Sequence, residues 1–240
     1  MVLTAYNIKV EHAYADTYSA GTNIFADTFT RANSNTVGNG WSELQVDASN
    51  PGIASNQLSH NTSNVGVAYR NIGSYNNIIV TFKLTVPTSP NSDGVGFAIR
   101  HDGSNRNTDC QTNFLSIGLN LAGGSFKVCD GTTVKGSTNF TFVTSTQYNF
   151  EWVVTSANYM EIRVWKTGTS RPLAPNLIIP AFTVGATGVN YAFGGREITG
   201  STLWDDFSMD NLITTASHPS KINIKSRVNI KSVFHNYLDQ

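Results

Sequence analysis

Two glutamates come nearest to a catalytic pair in this sequence. Glu151 and Glu161 stand ten residues apart, flanking the turn of an expected hairpin. Two carboxyl groups about 5–5.5 Å apart could serve a retaining hydrolysis, but on exposed strands they read more simply as surface charges. His101-Asp102 sets an imidazole beside a carboxylate, the combination an acid–base step uses. Followed by Gly103, it reads more simply as the end of a strand and a turn. No Gly-x-Ser-x-Gly elbow, Walker loop or HExxH helix occurs, and Gly94-Val95-Gly96 falls inside a strand pattern. The motifs that usually announce an enzyme are therefore missing.

Composition says what must position these residues. The chain has 240 residues, 40% of them hydrophobic, enough for one sizeable core. Only 13% are charged and the formal net charge is zero. A globally basic nucleic-acid surface is excluded, and no apolar run reaches the roughly 18 residues of a membrane span. The start, MVLTAYNIKVEH, lacks a basic segment followed by an apolar one, so no secretory signal is expected. The polar surface is built from Asn, Ser, Thr and Gly, which suit strands and turns better than helix interiors.

Short β-prone runs separated by turn residues fill positions 24–209. Examples of the turns are Asn50-Pro51-Gly52, Asp102-Gly103-Ser104-Asn105, Ala122-Gly123-Gly124 and Asp130-Gly131. Expected strands include 24–29, 77–86, 94–101, 138–143, 147–155, 158–166, 181–184, 188–194 and 203–209. In 77–86, Ile78, Val80, Phe82, Leu84 and Val86 share one face. In 158–166, Met160, Ile162 and Val164 face one way, and Tyr159, Glu161, Arg163 and Trp165 the other. This alternation marks sheets with one buried face. Many short strands without a 3.6-residue period predict an all-β sandwich or barrel. Phe25–Trp41 would open it and Leu203–Met209 would close it.

The ends differ from the middle. Residues 1–23 read as an arm and linker, and residues 213–240 as a second, basic arm. Ile222, Ile224, Val228 and Ile230 lie at even spacing there, among Lys221, Lys225, Arg227 and Lys231. A solvated edge strand and an exchange arm that pairs with another subunit's sheet edge both fit this pattern. Cys110 and Cys129 either form one bridge or remain two buried thiols.

DTFTRANSNTVGNGWSEL, NFEWVVTSANYMEIRVWKTGTSRP and TGVNYAFGGREITGSTLWDDFSM together resemble the concanavalin A-like lectin/glucanase (laminin G-like) domains of phage and bacterial surface proteins. The resemblance covers about 24–212. It implies a two-sheet antiparallel jelly-roll sandwich, here with extended terminal arms. It also implies a place for Ca²⁺ between the first and last strands, at Asp27 and Asp206; carboxylates hydrogen-bonded to turn backbone, or facing solvent, are the alternative. Enzymes of the family carry a Glu-x-Asp-x-(x)-Glu strand. None of Glu11, Glu43, Glu151, Glu161 and Glu197 begins one, so no glycanase activity is expected. For binding, a sugar stacks on an aromatic ring while Arg, Asn and Asp read its hydroxyls. Arg100, His101, Asp102, Tyr191 and Arg196 are the candidates, with Trp41 a further one.

These readings favour a non-enzymatic structural or adhesion protein of a virion surface or another extracellular assembly. It would be a homo-oligomer, or would dock through its arms onto capsid or tail proteins, and its sandwich could bind glycans. The alternatives are a monomeric carbohydrate-binding module and, further off, a divergent glycanase.

Overall fold

The alternating run at 77–86 becomes the inner face of a sheet. In the computed structural model of the chain, Ile78, Val80, Phe82, Leu84 and Val86 are all buried in one hydrophobic core. Burying each such side chain contributes roughly 1.5–3 kcal/mol, which is why the register is fixed. The structure describes residues 18–45, 51–60, 65–90, 94–104, 108–196 and 201–214. Among them are fifteen strands, numbered in chain order, and no helix.

The strands form two antiparallel sheets. The first has the order β13 (Leu177–Ile179), β12 (Met160–Lys166), β11 (Gln147–Val154), β6 (Ile78–Thr85), β15 (Thr202–Thr214), β4 (Gln57–His60), β3 (Gly52–Ala54), with β1 (Tyr18–Asp27) also paired to β15. The second has the order β10 (Thr133–Asn139), β9 (Ser125–Asp130), β8 (Leu115–Asn120), β7 (Val95–His101), β14 (Asn190–Arg196), β5 (Val65–Asn71), β2 (Ser42–Gln45). Phe82 of the first sheet meets Phe97 and Phe193 of the second, and Trp204 meets Phe193, with ring centroids 5.0–5.6 Å apart. The all-β, two-sheet sandwich expected from the sequence is the architecture found.

Some elements lie elsewhere than the sequence suggests. β1 pairs from Tyr18↔Thr214 to Asp27↔Phe207, so residues 18–23 and 213–214 belong to the sheet. That end of β1 is mostly polar (Ser19, Gly21, Thr22, Asn23), and its backbone ladder leaves no periodic trace in the sequence. The run at 138–143 is not a strand beyond Asn139. Phe140 and Phe142 pack against the core without a ladder, and the polar segment before them forms edge strand β10. Near 181–184 the strand is instead β13, at Leu177–Ile179. The expected arm residues Ile222, Ile224, Val228 and Ile230 lie outside the described residues.

Closure of the first strand rests on Asp27. Its Oδ1 accepts hydrogen bonds from the Phe29 amide (2.8 Å) and Arg31 Nη1 (3.0 Å). Its Oδ2 accepts from Arg31 Nη2 (2.9 Å), Asn39 Nδ2 (3.1 Å) and Trp41 Nε1 (2.9 Å). Burial alone would raise the carboxyl's pKa, but these donors outweigh it and hold the group below the usual aspartate range. The loop 28–41 is thereby wound around one carboxylate, and Trp41 is set against Phe29, Phe193 and Phe207.

The outer face of the second sheet is covered. A strap at 108–114 lies on it, fixed by the Cys110–Cys129 disulfide to β9. Thr108 Oγ1 is within hydrogen-bond reach of the Gly96 and Gly194 carbonyls. Phe114 packs with Val67, Ala98 and Ala192. Gly118 permits this approach, since a Cβ there would sit 2.0 Å from Asp109 Oδ1. The sequence left a bridge and two thiols open; the bridge is found.

Two stability predictions follow from these ties. Asp27→Asn leaves Arg31 without its ionic partner and should lower the unfolding free energy at pH 7 by about 3 kcal/mol. A carboxyl whose pKa is lower folded than unfolded contributes fully above its unfolded value, and that contribution is lost as pH falls through the folded value. Denaturant titrations of parent and variant should therefore converge only below about pH 4, and a gap that persists unchanged into strong acid would refute an ionised hub. For the strap, the Cys110→Ser/Cys129→Ser double variant should lose about 3 kcal/mol. Hydrogen exchange should then accelerate first at 108–114, and unchanged exchange there would mean the bridge does not hold the strap.

Candidate functional site

Where β7 ends, its ladder with β14 slips. His101 pairs with Asn190 and Ala98 with Ala192, so Ile99 and Arg100 together oppose Tyr191. This is a β-bulge, and Arg100 adopts φ +55° within it. Such a conformation is uncommon for a side chain other than Gly, and bulges re-aim side chains out of strand alternation. Ile99 stays in the core. Arg100 turns instead to the end of the sandwich, where it lines an open groove of about 480 Å³.

Three other segments complete the groove. Asn76 comes from the β5–β6 connection, Asn158 from the β11–β12 turn, and Phe182 and Thr187 from the chain leading into β14. Arg100 Nη2 donates to Asn76 Oδ1 (3.1 Å) and Asn158 Oδ1 (3.0 Å). Asn158 Nδ2 in turn donates to the Phe182 carbonyl (3.1 Å), tying the turn to the opposite wall. Gly188 lets that wall press on the bulge: a Cβ there would lie 2.2 Å from the His101 carbonyl oxygen. Burial lowers the pKa of Arg100, opposed by the attraction of Tyr191 and Asp130; the guanidinium remains charged. A second depression of about 260 Å³ borders the other side of residues 185–186, with Asn113, Asp130 and Thr133 on its wall. Asp130 accepts there from the amides of Gly185 and Ala186.

Of the sugar-reading candidates whose side chains are described, Arg100 alone lines the groove. Tyr191 sits in the core beneath it, 2% exposed, and offers no ring face. Burial pushes its phenol far above the ordinary range. His101 is fully buried under the strap, its ring between Tyr69 and Phe114. That burial also removes it as half of an acid–base pair. Asp102 caps its own turn, accepting from Ser104 and Asn113. Burial would raise its pKa, but these donors and His101 bring it below the usual value. Arg196 ends β14, and its side chain lies outside the described residues. Trp41 is buried against Asp27. Asn76, Asn158 and Phe182 carry no motif; four distant segments must fold before they meet.

Glu151 and Glu161 are not surface charges. Both are buried on the outer face of β11 and β12, bound to Arg163 at 3.1 and 2.9 Å. Arg171 adds a forked contact to Glu151, at 2.7 Å through both Nε and Nη2. Tyr159 donates its hydroxyl to Glu161 (2.9 Å). Carboxylates held this way balance charge and present no open face to a substrate.

The calcium fit fails at the residues the resemblance implied. Asp27 and Asp206 lie near each other in the β1–β15 register, Asp27 opposite Phe207. Asp27, however, already accepts five hydrogen bonds, about as many as a carboxylate takes. Asp206 occupies a bulge in β15 with φ +46° and turns outward to pair with Lys83. Among the described residues no group of three His, Cys, Asp or Glu side chains is arranged to hold a metal ion.

No family model and no curated protein matches this chain. Solved structures do. A Bacillus subtilis protein of unknown function with a galectin-like fold aligns over 82% of this chain and 99% of its own, at 11% identity and a TM-score of 0.58. The exoplasmic/lumenal domain of VIP36, bound to Ca²⁺ and Man3GlcNAc, aligns over 75% and 89%, at 10% identity and 0.55. An uncharacterized protein from Mycobacterium paratuberculosis aligns over 78% and 99%, at 14% identity and 0.51. With the two antiparallel sheets described above, these likenesses give this chain the galectin-like, concanavalin A-like jelly-roll fold.

Proposed function

We propose that the protein is a non-enzymatic carbohydrate-binding module and that it takes a glycan in the groove at the end of the sandwich. The observation that carries this reading is Arg100, turned out of its strand by a bulge and steadied by two asparagine amides over a polar trough. Hydroxyl-rich ligands need donors and acceptors in fixed positions, and Asn, Ser, Thr and Arg supply them. Phe182 adds an apolar face on one wall. The VIP36 domain, which shares the fold, carries a mannose-containing glycan. The committed state of Glu151 and Glu161 supports binding over hydrolysis. Calcium through Asp27 and Asp206 forms no part of the proposal.

A glycan array probed with the full chain should give defined hits. Asn158 has φ +58°, so Asn158→Gly removes its amide without backbone strain. With Asn76→Ala, it should weaken binding about tenfold each, as expected for a lost ligand or positioning hydrogen bond. A folded protein that binds nothing on a broad array would sink the reading.

The assembly role is a separate proposal and rests on the alternating, basic pattern of the tail, which would dock on neighbouring subunits of a virion or other extracellular particle. Deleting 215–240 leaves β15, which ends at Thr214, intact. The truncated protein should melt like the parent but sediment as a smaller species. Equal sedimentation of the two would rule the arm out.

A further inference from the structure

The described arginines fall into two kinds: Arg70 meets the Asn39 carbonyl and the Phe25 ring and Arg100 meets neutral amides, whereas the other three meet carboxylates. Arg31 is paired with Asp27, Arg163 with Glu151 and Glu161, and Arg171 with Glu151. Arg100 meets two neutral amide oxygens, both through Nη2. Among the described residues its Nη1 and Nε have no hydrogen-bond partner, and it makes no ion pair. It is also the one ionisable side chain among those lining the groove, whose other polar members are Ser, Thr and Asn. Asp130, which attracts Arg100 from across the wall, is engaged by the Gly185 and Ala186 amides and by Lys135, and it lines the second depression.

Arg100 is half-buried, feels the Asp130 charge only at a distance, and has no carboxylate bound to it. A planar fork with free donors matches a carboxylate or a sulfate oxygen pair better than it matches lone hydroxyls. The bulge gives this reading direction. A left-handed conformation at a non-glycine residue is strained, and such strain gathers at ligand-binding positions. Bridging the two turns uses Nη2 alone, and Arg100 as a whole lines the trough.

We propose that the groove selects saccharides bearing an anionic substituent, a uronate-type carboxylate or a sulfate, and that Arg100 grips it through Nη1 and Nε. The inference rests on the glycan-binding reading and sharpens it: the asparagines and Phe182 hold the ring, and Arg100 sets the charge requirement. Because the guanidinium is the groove's own charge, binding should weaken with salt.

The test applies the full chain, at low and high salt, to an array of neutral glycans, uronate- and sialate-bearing glycans, their methyl esters, and sulfated glycans. Arg100→Gly removes the fork while keeping a residue suited to φ +55°, and Arg100→Lys keeps the charge without the fork. Hits confined to carboxylated glycans, weakened at least about tenfold by methyl esterification and by Arg100→Gly, with Arg100→Lys intermediate, would establish the carboxylate. Hits confined to sulfated glycans and lost in Arg100→Gly would establish the sulfate. A merely structural Arg100 would lower the melting temperature without changing the ratio of acidic to neutral binding. Neutral and acidic glycans bound alike by parent and Arg100→Gly would overturn the charge requirement and leave the groove reading standing, provided Asn158→Gly still weakens them. A blank array would overturn both.

Discussion

One carboxylate organises the closure of this sandwich. Asp27 ends β1, and its two oxygens gather the Phe29 amide, the Arg31 guanidinium, the Asn39 amide and the Trp41 indole. The first strand is held by β15 through backbone hydrogen bonds, but the loop after it has only a single bridge, Ser34 to Ile53. The carboxylate supplies the missing convergence point. It brings Trp41 over Phe25, Phe29, Phe193 and Phe207, so both sheets share a ring cluster. An ion pair that ties the end of the first strand to the loop after it does by hydrogen bonding what a bound cation could do by coordination. The five donors come from one short stretch of chain and are present as soon as that stretch folds.

Two departures from strand geometry place the charged residues that matter. In β15, the bulge at Asp206 lets Trp204 and Phe207 both face the core although they are three positions apart. The same bulge turns Asp206 away from Asp27 and toward Lys83. In β7, the bulge at Arg100 keeps Ile99 inward and sends Arg100 to the end of the sandwich. In each case one extra residue with positive φ separates a polar side chain from the alternation that would otherwise fix its face.

That device explains what could and could not be read from the sequence. Alternation in 77–86 and 158–166 gave faces that hold in the folded chain, because a buried apolar row fixes register. Asp27 was legible as a residue of the closing strands, but its partners were not: Asn39 and Trp41 look like turn and core residues until the loop winds back. WDDF suggested carboxylates ready for a cation; a bulge, which composition does not reveal, aimed one of them elsewhere. Glu151 and Glu161 looked exposed because Glu161 and Arg163 occupy the face opposite the apolar row. They are buried because Arg163 links the two carboxylates and residues 171–176 fold back on β12, with Leu173 and Asn176 meeting Arg163 and Val164. Period-2 reading identifies opposite faces and does not say what later covers them.

The strap makes the same point at the scale of the whole molecule. The outer face of the seven-stranded sheet carries small residues, Gly96, Gly118, Gly194, Ala98 and Ala192, which would leave a shallow trough if nothing lay on it. Thr108, Asp109 and Phe114 fill that trough, and the disulfide at Cys110 keeps them there. His101 was a plausible binding residue by type and position, and the strap is what encloses it. With much of that face occupied and the outer face of β11 and β12 taken by an ion network, the open groove with Arg100 lies at the loops at the end of the sandwich. That groove is built from four segments, and the bulge in β7 supplies the one charge among its lining side chains. Which parts of this sandwich stay open is thus set by where its sheets are covered as much as by which residues its strands carry.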